Sequence, residues 1–244
     1  MTPILVIAGL AAGLVVLVLA IVLAFRAEKR RRLAMETVIR STGFQVDFKP
    51  SVAAKEEAFL KSGSLKCLRT GSKGLGWIAH GDVGGVPVQL LEHKYVVSTG
   101  KHTSVHYHLV ASTTAPETWP KLSVTPENFF HRIAEFFGAK DLKVEDEKFN
   151  RAWRVKGDDE NFALLVLNPD VQAWFLKMPG GVWIEIGNGA ACVVANTRGT
   201  EETALRGARL LADFWSMLPP ELHEYANPSM AAQKSNSPDE RQGW

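Results

Sequence analysis

The sequence predicts an α+β protein: one N-terminal transmembrane helix, then a domain with a mainly antiparallel sheet and three to four packed helices. Residues 4–25 are an unbroken apolar run, short β-rich runs separated by glycine cluster between residues 66 and 113, and helical patterns dominate the later part of the chain. Because no regular strand–helix–strand crossover recurs, an antiparallel α+β arrangement is favoured over a parallel α/β sheet.

The apolar run at residues 4–25 is typical of a membrane-spanning helix. An α-helix rises about 1.5 Å per residue, so the run reaches about 33 Å and covers a hydrocarbon core of about 30 Å. No positively charged segment precedes it and no small-residue cleavage site ends it, which favours an uncleaved anchor over a signal peptide. The predicted organisation is a transmembrane anchor (1–25), a basic juxtamembrane helix (26–43), an α+β domain (44–226) and a flexible tail (227–244).

A cluster of basic residues follows the anchor directly: Arg26, Lys29, Arg30, Arg31 and Arg32. Positive flanks stay on the cytoplasmic side during insertion, so we expect an outward N-terminus and a cytoplasmic domain at the cell (inner) membrane. The same side chains are candidates to contact anionic lipid headgroups, with an attraction of about 1 kcal/mol per residue near the surface. The alternative is that they only determine topology.

Gly9 and Gly13 form a G-x-x-x-G pair inside the anchor. Small residues at this spacing let a second helix approach closely, so they are candidates for packing against another copy or another membrane subunit. The alternative is that glycine is simply common in transmembrane helices.

The chain carries a net charge of only +2, and the excess of basic residues lies beside the anchor. The domain therefore has no broad basic face, which argues against nucleic-acid binding. Cys67 and Cys192 lie far apart without metal-ligand spacing, and in a cytoplasmic domain we expect reduced thiols.

The first domain element is predicted to continue the membrane helix. Residues 27–42 favour a helix, with Leu33, Val38 and Ile39 as apolar contacts and Gly43 as its C-terminal stop.

An antiparallel meander is predicted next, between residues 66 and 113. Its turns are expected at residues 82–85 and 98–101, because glycine accepts the positive φ that tight hairpins require.

Capping residues and prolines delimit the later elements. The first is a helix capped by Thr125, with Pro126 at its first position and an apolar face between Phe129 and Phe137. A strand at 152–156, helices at 161–167 (capped by Asp158) and 169–175, and a hairpin of strands 182–186 and 190–195 follow. The last is a helix beginning at Thr200, with Ala204, Ala208, Leu211 and Trp215 on one face.

The strongest candidate for a functional site is a group of polar side chains in the second predicted hairpin. It comprises His102, His106 and His108, with Glu92 and His93 on the preceding strand. Residues two apart in a strand share a face, so the three histidines are expected to point one way, away from the core. A bulged three-residue turn would bring Glu92 to them, whereas a two-residue turn would set His93 opposite His106.

Either register offers three ligands within reach of a zinc ion, although the spacing completes no recognised zinc motif. The alternatives are an ordinary solvated strand face or a pH-responsive surface. Zinc is therefore one candidate cofactor, and the sequence requires no cofactor.

Several segments resemble a loose group of uncharacterised bacterial membrane-anchored proteins that contain a domain of unknown function. The resemblance rests on the anchor with its basic flank, GDVGGVPV at 81–88, the hairpin ending in Tyr95, PKLSVTP at 120–126 and FNRAWRVKGD at 149–158. It covers most of residues 26–217. It implies an architecture and brings no activity or catalytic residue.

No phosphate-binding loop, G-x-G-x-x-G, G-x-S-x-G, H-E-x-x-H or kinase motif is completed. We therefore expect a single-pass membrane protein whose cytoplasmic domain is an accessory or scaffold subunit of a membrane complex, without catalysis. Its expected partners are the lipid bilayer and another membrane subunit or a second copy. The alternatives are a metal-binding or enzymatic module using the hairpin histidines, or a membrane-proximal lipid or ligand sensor.

Overall fold

The computed structural model describes residues 3–100, 102–127 and 140–225. Its first element is one continuous helix, α1 (Pro3–Ser41), of 39 residues. Within it lies one stretch that is long and apolar enough to cross a membrane, with exposed side chains. The helix ends where predicted, because Gly43 adopts a φ of +87° and its N–H donates to the Arg40 carbonyl at 3.0 Å.

The domain is built on a nine-stranded sheet in which every described pair of neighbours is antiparallel, in the order β1-β2-β3-β4-β9-β8-β5-β7-β6. The strands are β1 (Gln45–Asp47), β2 (Leu75–Val83), β3 (Val86–Ser98), β4 (Thr103–Thr114), β5 (Leu122–Pro126), β6 (Lys140–Leu142), β7 (Trp153–Gly157), β8 (Val182–Gly187) and β9 (Ala190–Ala195). The predicted α+β class is confirmed.

The remaining helices are α2 (Val52–Lys61), α3 (Glu147–Ala152), α4 (Glu160–Val166), α5 (Pro169–Phe175) and α6 (Glu201–Ser216), with short 3₁₀ turns at Gly71–Gly74 and Pro220–Glu224. Thr200 caps α6 as predicted, accepting from the Thr203 N–H at 3.2 Å. The cap of α4 is Asp159 and not the predicted Asp158, because the Asp159 carboxylate accepts from the Phe162 N–H at 2.9 Å.

Both faces of the sheet are covered. The larger core contains side chains from α1, α3, α4, α5 and α6, while a smaller core on the other face contains α2 and part of the 62–74 segment. Neighbouring residues of one strand therefore enter different cores: Leu90 of β3 lies in the larger and Leu91 in the smaller. A strand buried on both faces does not alternate between apolar and polar residues.

The register of the β3–β4 hairpin differs from both predicted alternatives. Tyr95 is paired with His106 and Ser98 with Thr103, so four residues connect the strands. The Thr99 N–H donates to the His102 carbonyl at 2.9 Å and closes this connection.

The helix predicted to begin at Thr125 is wrong at its start, because β5 continues through Pro126 and pairs with β7. The rest of that prediction, residues 129–137, and the predicted tail at 227–244 lie outside the described residues.

Candidate functional site

The last turns of α1 are part of the domain's core. Met35 and Ile39, one helical turn apart, are both completely buried in the larger core. The predicted contact through Leu33 is wrong, since that side chain is 53% exposed and lies on the outer face of the helix. The long apolar helix and the domain are therefore joined by packing and not by a linker.

Polar contacts fix the same helix one turn nearer its N-terminus. The Arg31 guanidinium donates to the Gly199 carbonyl, just before α6. Glu28 forms salt bridges with Arg31 at 3.1 Å, with Arg32 at 2.9 Å and with Arg198 at 2.9 Å. Because three guanidinium groups share one carboxylate, this cluster keeps an excess of positive charge.

A cleft of about 390 Å³ lies between this part of α1, the segment after β1 and the start of β2. We call it the basic cleft, because four cationic side chains line it: Arg31, Arg32, Lys49 and Lys55. Lys55 belongs to α2, a helix that is not among the predicted elements. The signal was present, since Ser51 caps α2 by accepting from the Ala54 N–H at 3.2 Å.

Aromatic side chains form part of the cleft wall. Phe48 and Trp77 both line it, with ring centroids 6.4 Å apart. Trp77 is only 3% exposed, and its indole Nε1–H has no hydrogen-bond acceptor among the described residues. Leaving a buried donor unsatisfied costs about 1–3 kcal/mol. This nitrogen is enclosed by the protein, on the side of the ring next to Gly199.

One carboxylate also lines the cleft. Glu92 accepts a hydrogen bond from the Gly199 N–H at 2.8 Å, while the carbonyl of the same Gly199 accepts from Arg31. A side chain at position 199 would collide with Trp77, because a Cβ there would lie 2.6 Å from the ring. Gly199 therefore lets α1, β3 and the aromatic wall meet at one point.

The predicted membrane-associated residues lie as follows. Gly9 and Gly13 are both within α1, and a Cβ at Gly13 would meet no described atom within 4 Å. Arg26, Lys29 and Arg30 are exposed, whereas Arg31 and Arg32 belong to the cleft.

The structure does not bring the four predicted zinc ligands together. Glu92 lies on the larger-core side of β3, on the opposite face of the sheet from His108, because β3 and β4 pair in a different register from either one predicted. His102 is exposed in the connection between the strands. In the described ranges, no group of three or more His, Cys, Asp or Glu side chains is arranged to hold a metal ion.

Three histidines of the β3–β4 hairpin, His93, His106 and His108, form an aromatic stack with Tyr95. His106 stacks on Tyr95 at 5.2 Å between ring centroids, and His93 lies 6.2 Å from His108. His108 is buried and its Nδ1–H donates to the Cys67 carbonyl at 3.1 Å. The strand face that is predicted to be solvated is thus covered by other parts of the protein at His108. Zinc binding stays a prediction, which elemental analysis of the purified chain would test.

The smaller core holds several titratable groups whose charged forms are disfavoured by burial. Burial raises the pKa of Glu185 to about 7, although the Trp183 Nε1–H donates to it at 2.7 Å. Burial, aided by neighbouring His108, lowers the pKa of His93 to about 4. Burial also raises the pKa of the Cys67 and Cys192 thiols, which disfavours the reactive thiolate. This arrangement is typical of structural burial and not of a nucleophilic site.

Comparison with known proteins assigns no family. No family model matches the chain, and no curated protein matches it. Among solved structures, the crystal structure of the mycobacterial trehalose monomycolate transport factor A, TtfA, is similar with a TM-score of 0.48 and 12% identity, over 77% of this chain and 95% of that chain. A likeness of this degree supports neither a family assignment nor a shared function.

Proposed function

We propose that the protein is a single-pass membrane protein whose α+β domain is held at the cytoplasmic surface of the bilayer as an accessory or scaffold subunit of a membrane complex. One observation carries the proposal: α1 runs without interruption from its apolar stretch into the core, where Met35 and Ile39 are completely buried. A docked helix cannot act as a flexible tether, so the domain has a fixed position relative to the anchor.

The distance along α1 supports a position at the membrane surface. Arg31, which binds the domain through Gly199, lies six residues beyond Phe25, or about 9 Å along the helix axis. The interfacial layer of a bilayer adds about 5–8 Å on each side of the hydrocarbon core. The domain therefore begins where the headgroups end.

The direction of β3 supports the same position. The Phe44 ring, just beyond α1, packs against Gly81, which is paired with Val88. Glu92, further along β3, lines the cleft together with Arg31. Moving along β3 from Val88 to Glu92 thus corresponds to moving back along α1 toward the membrane.

The tip of the β3–β4 hairpin extends further in this direction. Val96 and Val105 form a cross-strand pair near the tip and are 55% and 48% exposed. Exposed valines at this level are suited to contact with the bilayer interface or with a neighbouring membrane subunit.

Native purification tests the accessory role. We expect the tagged full chain, extracted from membranes with a mild detergent, to co-purify with a membrane subunit or a second copy. If the glycine pair forms the contact, Gly13→Leu should abolish co-purification, while Ala11→Leu, which adds bulk on the opposite face of the same helix, should leave it intact. Recovery of a monomer without any associated subunit would contradict the proposal.

Protease accessibility tests the orientation. We expect the domain to be protected in intact cells and degraded only after the membrane is permeabilised. Degradation in intact cells would place the domain outside and refute the cytoplasmic assignment.

A further inference from the structure

We propose that the basic cleft binds the phosphate-bearing headgroup of an anionic membrane lipid. This inference rests on the proposed function, because it requires the domain to sit at the bilayer surface. It adds a specific ligand class and a built site, in which residues from α1, the segment after β1, α2 and β2 converge on a volume of about 390 Å³.

The charge of the cleft matches an anion. Arg31 and Arg32 share the Glu28 carboxylate, but in the described part of the chain neither Lys49 nor Lys55 forms a salt bridge. Two ammonium groups are thus available in addition to the two guanidinium groups, so the four cations outnumber the single carboxylate that lines the cleft, Glu92. Cationic side chains that hold no internal partner are suited to a phosphate group.

The apolar wall of the cleft suits an amphiphile better than a small ion. The half-buried Phe48 ring, which packs on Trp77, offers an apolar surface next to the cations, on which the glycerol and upper acyl segment of a lipid can pack. A free phosphate would use the cations and leave this surface uncovered.

The position of the cleft favours a lipid over a soluble ligand. Arg31 and Arg32 lie about 9–11 Å beyond Phe25 along α1, next to the headgroup layer. An anionic lipid in the adjacent leaflet can reach the cleft without leaving the bilayer, and its local concentration there is far higher than that of a soluble phosphate ester.

Native mass spectrometry of the detergent-solubilised full chain measures the binding. Phosphatidylglycerol and phosphatidylcholine are titrated separately, and inorganic phosphate and glycerol phosphate are added as competitors. We expect one phosphatidylglycerol to be retained, at least tenfold more tightly than phosphatidylcholine, and the soluble phosphates to compete only at concentrations far above that of the lipid.

Two sets of variants assign this binding to the cleft. Lys49→Ala combined with Lys55→Ala should weaken retention about 25-fold, from an attraction of about a factor of five per lysine. The control Lys148→Ala combined with Lys177→Ala removes the same charge from α3 and the segment after α5, at the other end of the sheet, and should change it less than twofold.

Three outcomes would overturn the inference. They are equal retention of both lipids, equal effects of the cleft and control variants, and displacement of phosphatidylglycerol by stoichiometric soluble phosphate, which would identify a free phosphate as the ligand.

Carbonate extraction separates these failures from failure of the proposed function. A chain that stays in carbonate-washed membranes but shows no cleft-dependent lipid retention disproves the lipid site alone, whereas a chain released by carbonate disproves the anchor and with it both proposals.

Discussion

Glu185 is the buried acid that should limit the stability of the domain at alkaline pH. It lies on β8, paired with Cys192, and is only 1% exposed. The Trp183 Nε1–H donates to one carboxylate oxygen, and the other oxygen has no hydrogen-bond partner within the described ranges. The protein therefore stabilises the neutral acid, and ionisation of Glu185 in the folded state is costly.

The sign and size of the effect follow from the pKa. Burial raises the pKa of Glu185 from 4.5 to about 7, and each pKa unit corresponds to about 1.4 kcal/mol. Between pH 4.5 and 7 the folded state keeps a proton that the unfolded state has released. The free energy of unfolding should therefore fall as the pH rises through this window, by a total of about 3 kcal/mol, and level off above it.

Glu185→Gln removes this dependence while keeping nearly the same side-chain shape. We expect the variant to exceed the parent in unfolding free energy by up to about 3 kcal/mol at pH 8 and to differ little near pH 4.5. Urea unfolding of the full chain in detergent, followed by tryptophan fluorescence, measures both values. Glu145→Gln, at an exposed position between β6 and α3, is the matched control and should leave the pH profile unchanged.

His93 gives the unfolding free energy the opposite dependence on pH, in the parent and in the Glu185→Gln variant alike. Burial lowers its pKa from 6.5 to about 4, so its contribution to stability is lost as the pH falls through that range. Only the difference between parent and variant isolates Glu185. If that difference is the same at pH 5 and pH 8, the carboxyl group does not titrate as its burial requires and the reasoning is refuted.

Two further predictions test the docking of α1 and the state of the thiols. Ile39→Ala should destabilise the domain by about 2–5 kcal/mol, because it empties a fully buried site, whereas Leu33→Ala should have little effect; equal losses in urea unfolding would contradict the docking of this face. Cys67 and Cys192 should resist maleimide at pH 8 in the folded chain and react fully in denaturant, because both thiols are buried; rapid labelling of the native protein would contradict their assignment to the smaller core.

The elements that the sequence predicted well are those with strong local signals. The apolar run and its basic flank define α1 because a bilayer demands an unbroken apolar helix. Gly43 ends that helix with a positive φ, and Gly84 and Gly85 adopt positive φ in the β2–β3 turn, as glycine in tight hairpins does. These features depend on the backbone of a few neighbouring residues, so the sequence alone carries them.

The elements that the sequence failed to predict depend on tertiary contacts. The alternation of β4 predicts a solvated face for His108, because no local pattern indicates that residues 62–74 cover it. The basic cleft was missed because Arg31, Lys49, Lys55 and Trp77 come from separate elements, and only the docking of α1 brings them together. Local periodicity contains no information about which segment will lie across a strand.

The cleft also lies between α1 and the rest of the domain, so a ligand bound in it affects how firmly the two pack together. Arg31 and Arg32 belong to α1, whereas Lys49 and Lys55 belong to the domain. A headgroup held by all four contacts both parts, so it must bind the docked state more tightly than an undocked one. By linkage, lipid binding strengthens the docking and a weaker docking lowers the affinity for lipid. Ile39→Ala should therefore reduce lipid retention although Ile39 does not line the cleft, which a local charge effect would not produce.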